Sequence, residues 1–541
     1  MTQILQVFYI VFSALMLSAG IPNEFLSFGS PILGLFSLVP FYIALTRSKS
    51  FKNAGFLCSL EFSLVQLFSS YWLGNFKDFA VFTVGGPILA YFVFGQAFGR
   101  FFYFVLKYKC RQTAGLLRRI FLFAAVYTLW EWQKSIGFLA YPWGTLFLSV
   151  YKWRLFYQIF DITGTWAVSF LFSLFSALVA EGILLIPSAK TEENCAAASL
   201  YAKTAIFIFL IFGANICYGI FQYTKVRQPV KFAKTVLVQQ NADSWVTGGE
   251  DDSVTISQKL SRQGIDQSIA QFGQKPDLIC WSEAVLNYAF PNATGFYQFY
   301  PPENPLIPFI SSTDTPFVIG APVQVGSEPA LFENGAVVFN GDATVQGYYG
   351  KMHLVPFAEY IPFTEYEWFC KVMDKLVGFS NGWHPGTKFS TFTVPVENGK
   401  NTLTFSVPIC FEDAFADVCR GLWHAGSEVL MNITNDSWSR TNSAEYQHFV
   451  VASYRAIELR TTLVRSTNAG YSVVVDPAGK ILADMPLFEE AVKCVDVPVY
   501  EHSETFYARY GDWFCWLVLA LSLAAFAVMV TKTKVKDLNI F

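Results

Sequence analysis

The chain has 541 residues, of which 53% are hydrophobic and 15% charged, with 56 Phe and a formal net charge of −3. So apolar and sparsely charged a chain is not an ordinary soluble domain, and its near-neutral balance gives no basis for a nucleic-acid partner. Ten cysteines without CxxC pairs and five histidines without HxxxH spacing provide no zinc site, so no metal or other cofactor is expected.

A run of about 20 apolar residues crosses the hydrocarbon of a bilayer. Seven such runs precede the middle of the chain, near residues 4–19, 31–45, 55–73, 79–106, 120–137, 166–186 and 205–221, and an eighth at 513–530 closes it. The start, Met-Thr-Gln, lacks the charged region of a signal peptide, so the first run reads as a retained helix. Arg47, Lys49 and Lys52 follow the second span. Lys107, Lys109, Arg111, Arg118 and Arg119 lie between the fourth and fifth, Lys190 and Lys203 between the sixth and seventh, and Lys532, Lys534 and Lys536 after the eighth. Seven spans, a domain and one span put all these cations on one side, the cytoplasm, and the domain on the other. Glu61, Glu131, Asp161 and Glu181 fall in or beside spans, most near the predicted ends, where interfacial water is expected to solvate them.

After Lys225 the composition turns polar and strand-like up to about Ser503. The predicted organisation is a seven-span domain over 1–224, an α/β domain over 225–503, and a last helix with a short tail over 504–541. Candidate strands are 235–240, 277–281, 317–321, 336–340, 403–409, 428–434, 462–466 and 472–476. Phe449, Ala452, Ala456 and Leu459 recur at helix spacing within 444–460.

Three strand ends carry polar groups that hydrophobic patterning does not explain. The first is Pro276-Asp-Leu-Ile-Cys-Trp-Ser-Glu283 and the second Gly350-Lys-Met-His-Leu-Val-Pro-Phe-Ala-Glu-Tyr-Ile-Pro362. The third is Val407-Pro-Ile-Cys-Phe-Glu-Asp413, in which Cys410 follows a buried-looking strand. Alone, such a cysteine is more often a small buried hydrophobe, and the plain alternatives for Glu283 and Lys351 are a helix cap and a solvated loop residue. Together they supply a thiol, a carboxylate to take its proton and an ammonium to favour thiolate and oxyanion, as acyl transfer through a thioester requires.

Glu283, Lys351 and Cys410, with their flanking stretches, resemble the nitrilase (carbon–nitrogen hydrolase) superfamily. Within it, the seven spans before the domain and one after resemble the apolipoprotein N-acyltransferase family. Ala140-Tyr-Pro-Trp-Gly144 and Val238-Gln-Gln-Asn241 extend the match over essentially the whole chain. The resemblance implies a polytopic α-helical membrane domain plus a nitrilase-like αββα sandwich on the periplasmic face of a bacterial inner membrane. It implies acyl transfer from the sn-1 position of a phospholipid, typically phosphatidylethanolamine, through a Cys410 thioester to the N-terminal amine of S-diacylglyceryl-cysteine apolipoproteins. Glu283 would be general base and then acid, Lys351 would hold the oxyanion, and Glu359 and Glu412 would support the site. Trp245, Phe411 and Trp438 are candidate substrate contacts. Phe411 departs from the family's frequent Tyr, which removes any role for that hydroxyl. For Glu359 and Glu412 the plainer reading is a structural ion pair, for Trp245 and Trp438 ordinary packing, and for His353 a structural use. Whether Cys280, Cys370, Cys419 and Cys494 pair is open, and a monomer is expected. The competing readings are a membrane-tethered amidase or nitrilase, whose acyl-enzyme water would resolve, and a non-catalytic transporter or binding protein.

Overall fold

The computed structural model describes residues 2–76, 80–107, 115–137, 139–185, 192–242, 249–328, 330–361, 363, 366–377 and 382–531. Trp245, Pro362 and the cations Lys109, Arg111, Lys190, Lys532, Lys534 and Lys536 lie outside them. Two compact units emerge, Met1–Lys225 with Arg509–Phe541, and Val226–Ala508.

The first unit is a helix bundle. Its long helices are α1 (Gln3–Gly20), α2 (Pro31–Thr46), α3 (Phe51–Ser69), α4 (Ala80–Lys107), α5 (Leu116–Lys134), α6 (Trp166–Leu185) and α7 (Glu192–Thr224), with Trp513–Thr531 at the end of the chain. Local chemistry sets the boundaries. Ser30 caps α2 ahead of Pro31 at its first turn, and Ser50 accepts from Asn53 N at the start of α3. Every predicted span falls on one of these helices. Five are long and apolar enough to cross a membrane by length and composition (α1, α4, α6, α7 from Ala196, and Trp513–Thr531), and α2 is a shorter apolar helix.

The expectation that interfacial water solvates the acidic residues of the spans does not hold. Glu61, Glu131, Asp161 and Glu181 are all buried within the bundle. Glu61 accepts from Ser13 Oγ at 2.8 Å, and Asp161 from the Tyr218 hydroxyl at 2.8 Å. Glu181 takes two Arg119 nitrogens at 2.6 and 2.9 Å and the Tyr42 hydroxyl. Glu131 accepts from Leu146 N at 2.7 Å and Ser169 Oγ at 2.5 Å, while Lys134 one turn on donates to Trp143 O at 2.6 Å. Lys134 satisfies carbonyls of the irregular Ala140–Gly144 segment, and Glu131 the Leu146 N–H just after it, groups that apolar surroundings would otherwise leave orphaned.

The second unit holds two six-stranded sheets. The first runs β12-β1-β2-β3-β4-β5, with β1 Lys231–Gln239, β2 Leu278–Cys280, β3 Phe317–Gln324, β4 Phe332–Phe339, β5 Val345–Gly350 and β12 Ala491–Val499. The second runs β11-β10-β9-β8-β7-β6, with β6 Phe392–Val396, β7 Asn401–Ser406, β8 Val429–Thr434, β9 Thr462–Thr467, β10 Val473–Val475 and β11 Ile481–Asp484. In each sheet the central pairs are parallel (β1–β2–β3 and β7–β8–β9) and the outer pairs antiparallel. The sheets face one another, with Ser466 Oγ of β9 donating to Cys280 O at 2.9 Å across the gap. Helix α8 (Gly249–Phe272) covers β1 and β12. Helices α9 (Ala416–His424) and α10 (Asn442–Leu459) cover β8 and β9, completing an αββα sandwich. Val236, Ile279, Trp281, Ile319 and Val337 form the core of the first layer, where Trp281 Nε1 finds Ser261 Oγ at 2.8 Å. Parallel central strands place the carboxyl ends of β2, β7 and β8 at one edge, the place where open α/β sheets present their chemistry.

Candidate active site

Beyond β2 the chain turns through Ser282 to Glu283. Gly320 on β3 permits this turn, since a Cβ there would lie 2.5 Å from both Ser282 O and Ala284 N. Val285 N then donates to Gly320 O at 3.0 Å and fixes the exit. Glu283 is buried, with Oε1 accepting from Asn334 Nδ2 at 2.8 Å and Lys351 Nζ at 3.3 Å, and Oε2 from Asn435 N at 2.9 Å.

Lys351 follows β5 directly and is 0% exposed. Its backbone N–H continues the ladder to Asn334 O at 2.8 Å, and its Nζ donates to Glu359 Oε1 at 2.7 Å. Asn334 Nδ2 also reaches Glu359 Oε1 at 3.0 Å, and Glu359 Oε2 accepts from Val355 N at 2.8 Å. One amide and one ammonium therefore hold two carboxylates side by side. The Lys351 ammonium also sits 5.3 Å from the Phe411 ring centroid, on its face.

Cys410 opens a single turn, Cys410–Ala414, just past the bridge between Ile409 and Ile433. Its φ of +54° is unusual for a non-glycine residue and costs on the order of 1 kcal/mol, a strain typical of functional positions. Asn432 holds the conformation by donating to Pro408 O at 3.1 Å and Cys410 O at 2.8 Å. Glu412 joins this turn to the lysine loop. Its carboxylate accepts from Ile409 N at 2.8 Å, Met352 N at 2.7 Å, His353 N at 3.0 Å and the Tyr349 hydroxyl at 3.1 Å. The residues flanking Lys351 and Cys410 are thus tied to one buried side chain.

Burial pushes the Cys410 thiol well up, and the Glu283 charge pushes it further, while Lys351 opposes both without prevailing. The lysine does favour thiolate, but the resting group is a thiol. Burial works against the Lys351 ammonium, yet Glu283 and Glu359, joined by Cys410 once that thiol is ionised, hold its pKa well above the usual value. Glu283 is raised by burial against the pull of Lys351. Around Cys410, then, stand a fixed cation and a carboxylate of raised basicity, the arrangement for taking a proton from a thiol and holding a developing oxyanion.

Burial raises Glu412 to about 7, against the hydrogen bonds from Ile409 and His353. A folded pKa above the unfolded one contributes stability fully present below the unfolded value of about 4, and lost as pH rises through about 7. Glu412→Gln turns an amide NH₂ towards N–H donors and is expected to cost about 2–4 kcal/mol. It also removes the titration, so the gap in thermal unfolding midpoint between wild type and variant should narrow from pH 5 to pH 8. A constant gap would mean that Glu412 does not titrate in this range.

The fold brings Glu283, Lys351, Glu359, Cys410 and Glu412 together. Phe411 is buried, edge-on to Phe415 at 5.0 Å and to His353 at 5.5 Å, and packs under the ammonium. Trp438 is half-buried in the loop after β8, and Trp245 lies outside the described residues. His353 stacks on Phe415 at 3.8 Å. Cys280, Cys370, Cys419 and Cys494 are not disulfide-bonded. Sequence reasoning missed Asn334 and Asn432. Their signal was an amide abutting an apolar run, Asn334 before Gly-Ala-Val-Val-Phe and Asn432 after Val-Leu-Met.

The carbon–nitrogen hydrolase family matches residues 269–505, and the apolipoprotein N-acyltransferase N-terminal domain matches residues 13–178. Apolipoprotein N-acyltransferase 2 of Treponema denticola is 46% identical over 98% of both chains. Apolipoprotein N-acyltransferase 2 of Treponema pallidum is 37% identical over 96% of this chain and 94% of its own. Among solved structures, an amidase from Nesterenkonia sp. is 16% identical with a TM-score of 0.36, covering 54% of this chain and 98% of its own. Helix bundle, αββα sandwich and near full-length identity agree: the chain is a multi-pass membrane protein and belongs to the apolipoprotein N-acyltransferase family.

Proposed function

We propose that this protein moves an acyl chain from the sn-1 position of a phospholipid, phosphatidylethanolamine being the expected donor, to the N-terminal amine of S-diacylglyceryl-cysteine apolipoproteins. The observation that carries the reading is Lys351 Nζ held between Glu283 and Glu359, at 3.3 and 2.7 Å, beside a strained cysteine turn. Glu283 takes the Cys410 proton as Sγ attacks the ester carbonyl. The oxyanion forms against Lys351 and the leading N–H groups of the 410–414 turn, which have no acceptor within it. Collapse breaks the ester, and Glu283 returns the proton to the glycerol oxygen, which leaves as lysophospholipid. The lipoprotein amine then attacks the thioester, Glu283 takes the amine proton, and Sγ leaves to recover it, completing the amide. Glu359 holds the ammonium, and Glu412 positions both loops. Trp438 and Trp245 contribute to the substrate mouth, whereas Phe411 supports Lys351 more than it touches substrate.

The unit over 225–503 is read as facing the periplasm of an inner membrane, because the cations flanking the spans of 1–224 and 504–541 fall on the opposite side. Acyl donor and acceptor both reside in a bilayer, so a monomer reached through lipid suffices. The test is intact-mass analysis of the purified protein with phospholipid. One hydroxylamine-labile acyl adduct, mapped to the peptide containing Cys410 and discharged onto a diacylglyceryl peptide, is expected. Discharge to water alone would favour an amidase-like hydrolase, and no adduct would favour a binding protein.

A further inference from the structure

Behind the Cys410 turn lies a second cluster of ionisable groups for which the acyl-transfer steps have no use. Asp413 occupies the nucleophile turn itself, Asp436 the loop after β8, Arg465 the strand β9, and Glu445 and His448 the helix α10. All five are buried. His448 Nε2 lies 2.9 Å from Asp413 Oδ1, and its Nδ1 lies 2.7 Å from Asp436 Oδ2. Arg465 Nη1 donates to Asp413 Oδ2, and its Nη2 stands 3.7 Å from Asp436 Oδ2. Glu445 accepts from Ser439 Oγ at 2.7 Å.

A neutral imidazole has one N–H and one lone pair, so it satisfies one carboxylate and repels the other. Two carboxylate oxygens within 3 Å of the two ring nitrogens require both nitrogens to carry hydrogen. The charges then balance, with Asp413 and Asp436 against His448 and Arg465. Buried charge survives only when it is paired in this way.

The two segments so joined both contribute to the site. Asp413 lies three residues after Cys410, and Asp436 follows Asn435, whose N–H holds Glu283 Oε2 at 2.9 Å. We infer that His448, as an imidazolium bridging Asp413 and Asp436, is a positioning residue that locks the nucleophile turn to the loop holding the general base. This rests on reading Cys410 as nucleophile and Glu283 as base. Loss of the ring proton would turn a lone pair towards one carboxylate, and the two loops would no longer be held in one register.

The electrostatics agree. Burial works against the imidazolium, but Asp436 and Asp413 outweigh it together with the opposing Arg465 charge, and hold His448 up to about 9. Burial acts to raise Asp436, and His448 and Arg465 override it, so its carboxyl sits below the usual range. Glu445, on the same helix, is held well up by burial and by Asp436. A raised histidine pKa means the bridge is complete at lower pH and lost as pH rises through about 9.

The test uses the full-length protein in phospholipid bilayers. Acyl-enzyme formation should fall along an alkaline limb near pH 9. Asp436→Asn removes one anion and should move that limb down by about 1 unit. His448→Gln should lower the plateau about 10- to 100-fold and abolish the limb. Nitrogen-15 histidine spectra, with only five histidines to assign, should show one imidazolium persisting at pH 8 and missing in His448→Gln. A neutral His448 at pH 8, or a limb that Asp436→Asn leaves in place, would overturn the inference. The spectra judge it even if no acyl adduct forms, so its failure is separable from that of the acyltransferase reading. They also serve, with Asp436→Asn, should His448→Gln not fold.

Discussion

Cys410→Ala is expected to abolish acyl-enzyme formation, a loss of at least ~10⁴-fold, while the fold and the helix bundle remain intact. The nucleophile would go but little else would. Asn432 grips the Cys410 carbonyl, and Glu412 grips Ile409 N, so backbone partners and not the thiol hold the turn. Alanine meets the φ of +54° with the same Cβ that cysteine has, and the change in stability should stay within about 1 kcal/mol. Intact-mass time courses with phospholipid check the first claim, and thermal unfolding the second. Cys410→Ser sharpens the result. Its hydroxyl is a poorer nucleophile, and an oxygen ester is a poorer acyl donor to an amine, so a slow, hydroxylamine-resistant adduct that does not discharge is expected. If Cys410→Ala still acylates the peptide, the thioester route is wrong.

Why the sequence disclosed some parts of this molecule and hid others follows from how much each part is buried. The spans were legible because bilayer length forces long apolar runs, and all eight predicted runs fall on helices. The eight central strands were legible because each carries a short apolar or β-branched run, such as Val236-Leu-Val238, Val337-Val-Phe339 and Val429-Leu-Met431, that burial between layers demands. The four unread strands, β5, β6, β11 and β12, are the four edges of the two sheets. Edges tolerate proline and glycine, and they carry Pro395, Pro498, Gly347 and Gly350 where an apolar pattern would otherwise show.

The site divides in the same way. Glu283, Lys351 and Cys410 stood out because charge or thiol at the end of a buried strand has no packing reason to be there. Asn334, Asn432 and His448 act through partners far off in sequence. Asn334 reaches Glu283, and His448 reaches Asp413 from 35 residues away. No local pattern encodes such a pairing. The four acidic residues of the spans misled for a related reason. Nearness to a span's end suggests interfacial water, but Ser13, Arg119, Ser169 and Tyr218 supply their partners from other helices.

Lys351→Met should be the most damaging change that leaves the nucleophile in place. The ammonium is 0% exposed and faces Glu283, Glu359 and Cys410 together. Without it two carboxylates share Asn334 as their common donor with no counter-charge, a cost of about 3–5 kcal/mol that one shared proton partly relieves. Lys351 is also what holds Glu283 down against burial. Its removal pushes Glu283 further up, so the carboxylate needed as base appears only at higher pH. Acyl-enzyme formation should fall ~10³- to 10⁴-fold, since oxyanion stabilisation and base are lost together. Its residual acid limb should move to higher pH. Lys351→Arg should not restore it, because a planar guanidinium does not fit a pocket built around one Nζ with acceptors at 2.7 and 3.3 Å. The dependence on phospholipid concentration should be unchanged, because the loss belongs to the transition state and not to lipid binding. A variant that loses lipid affinity but keeps its rate at saturation would instead make Lys351 a headgroup contact.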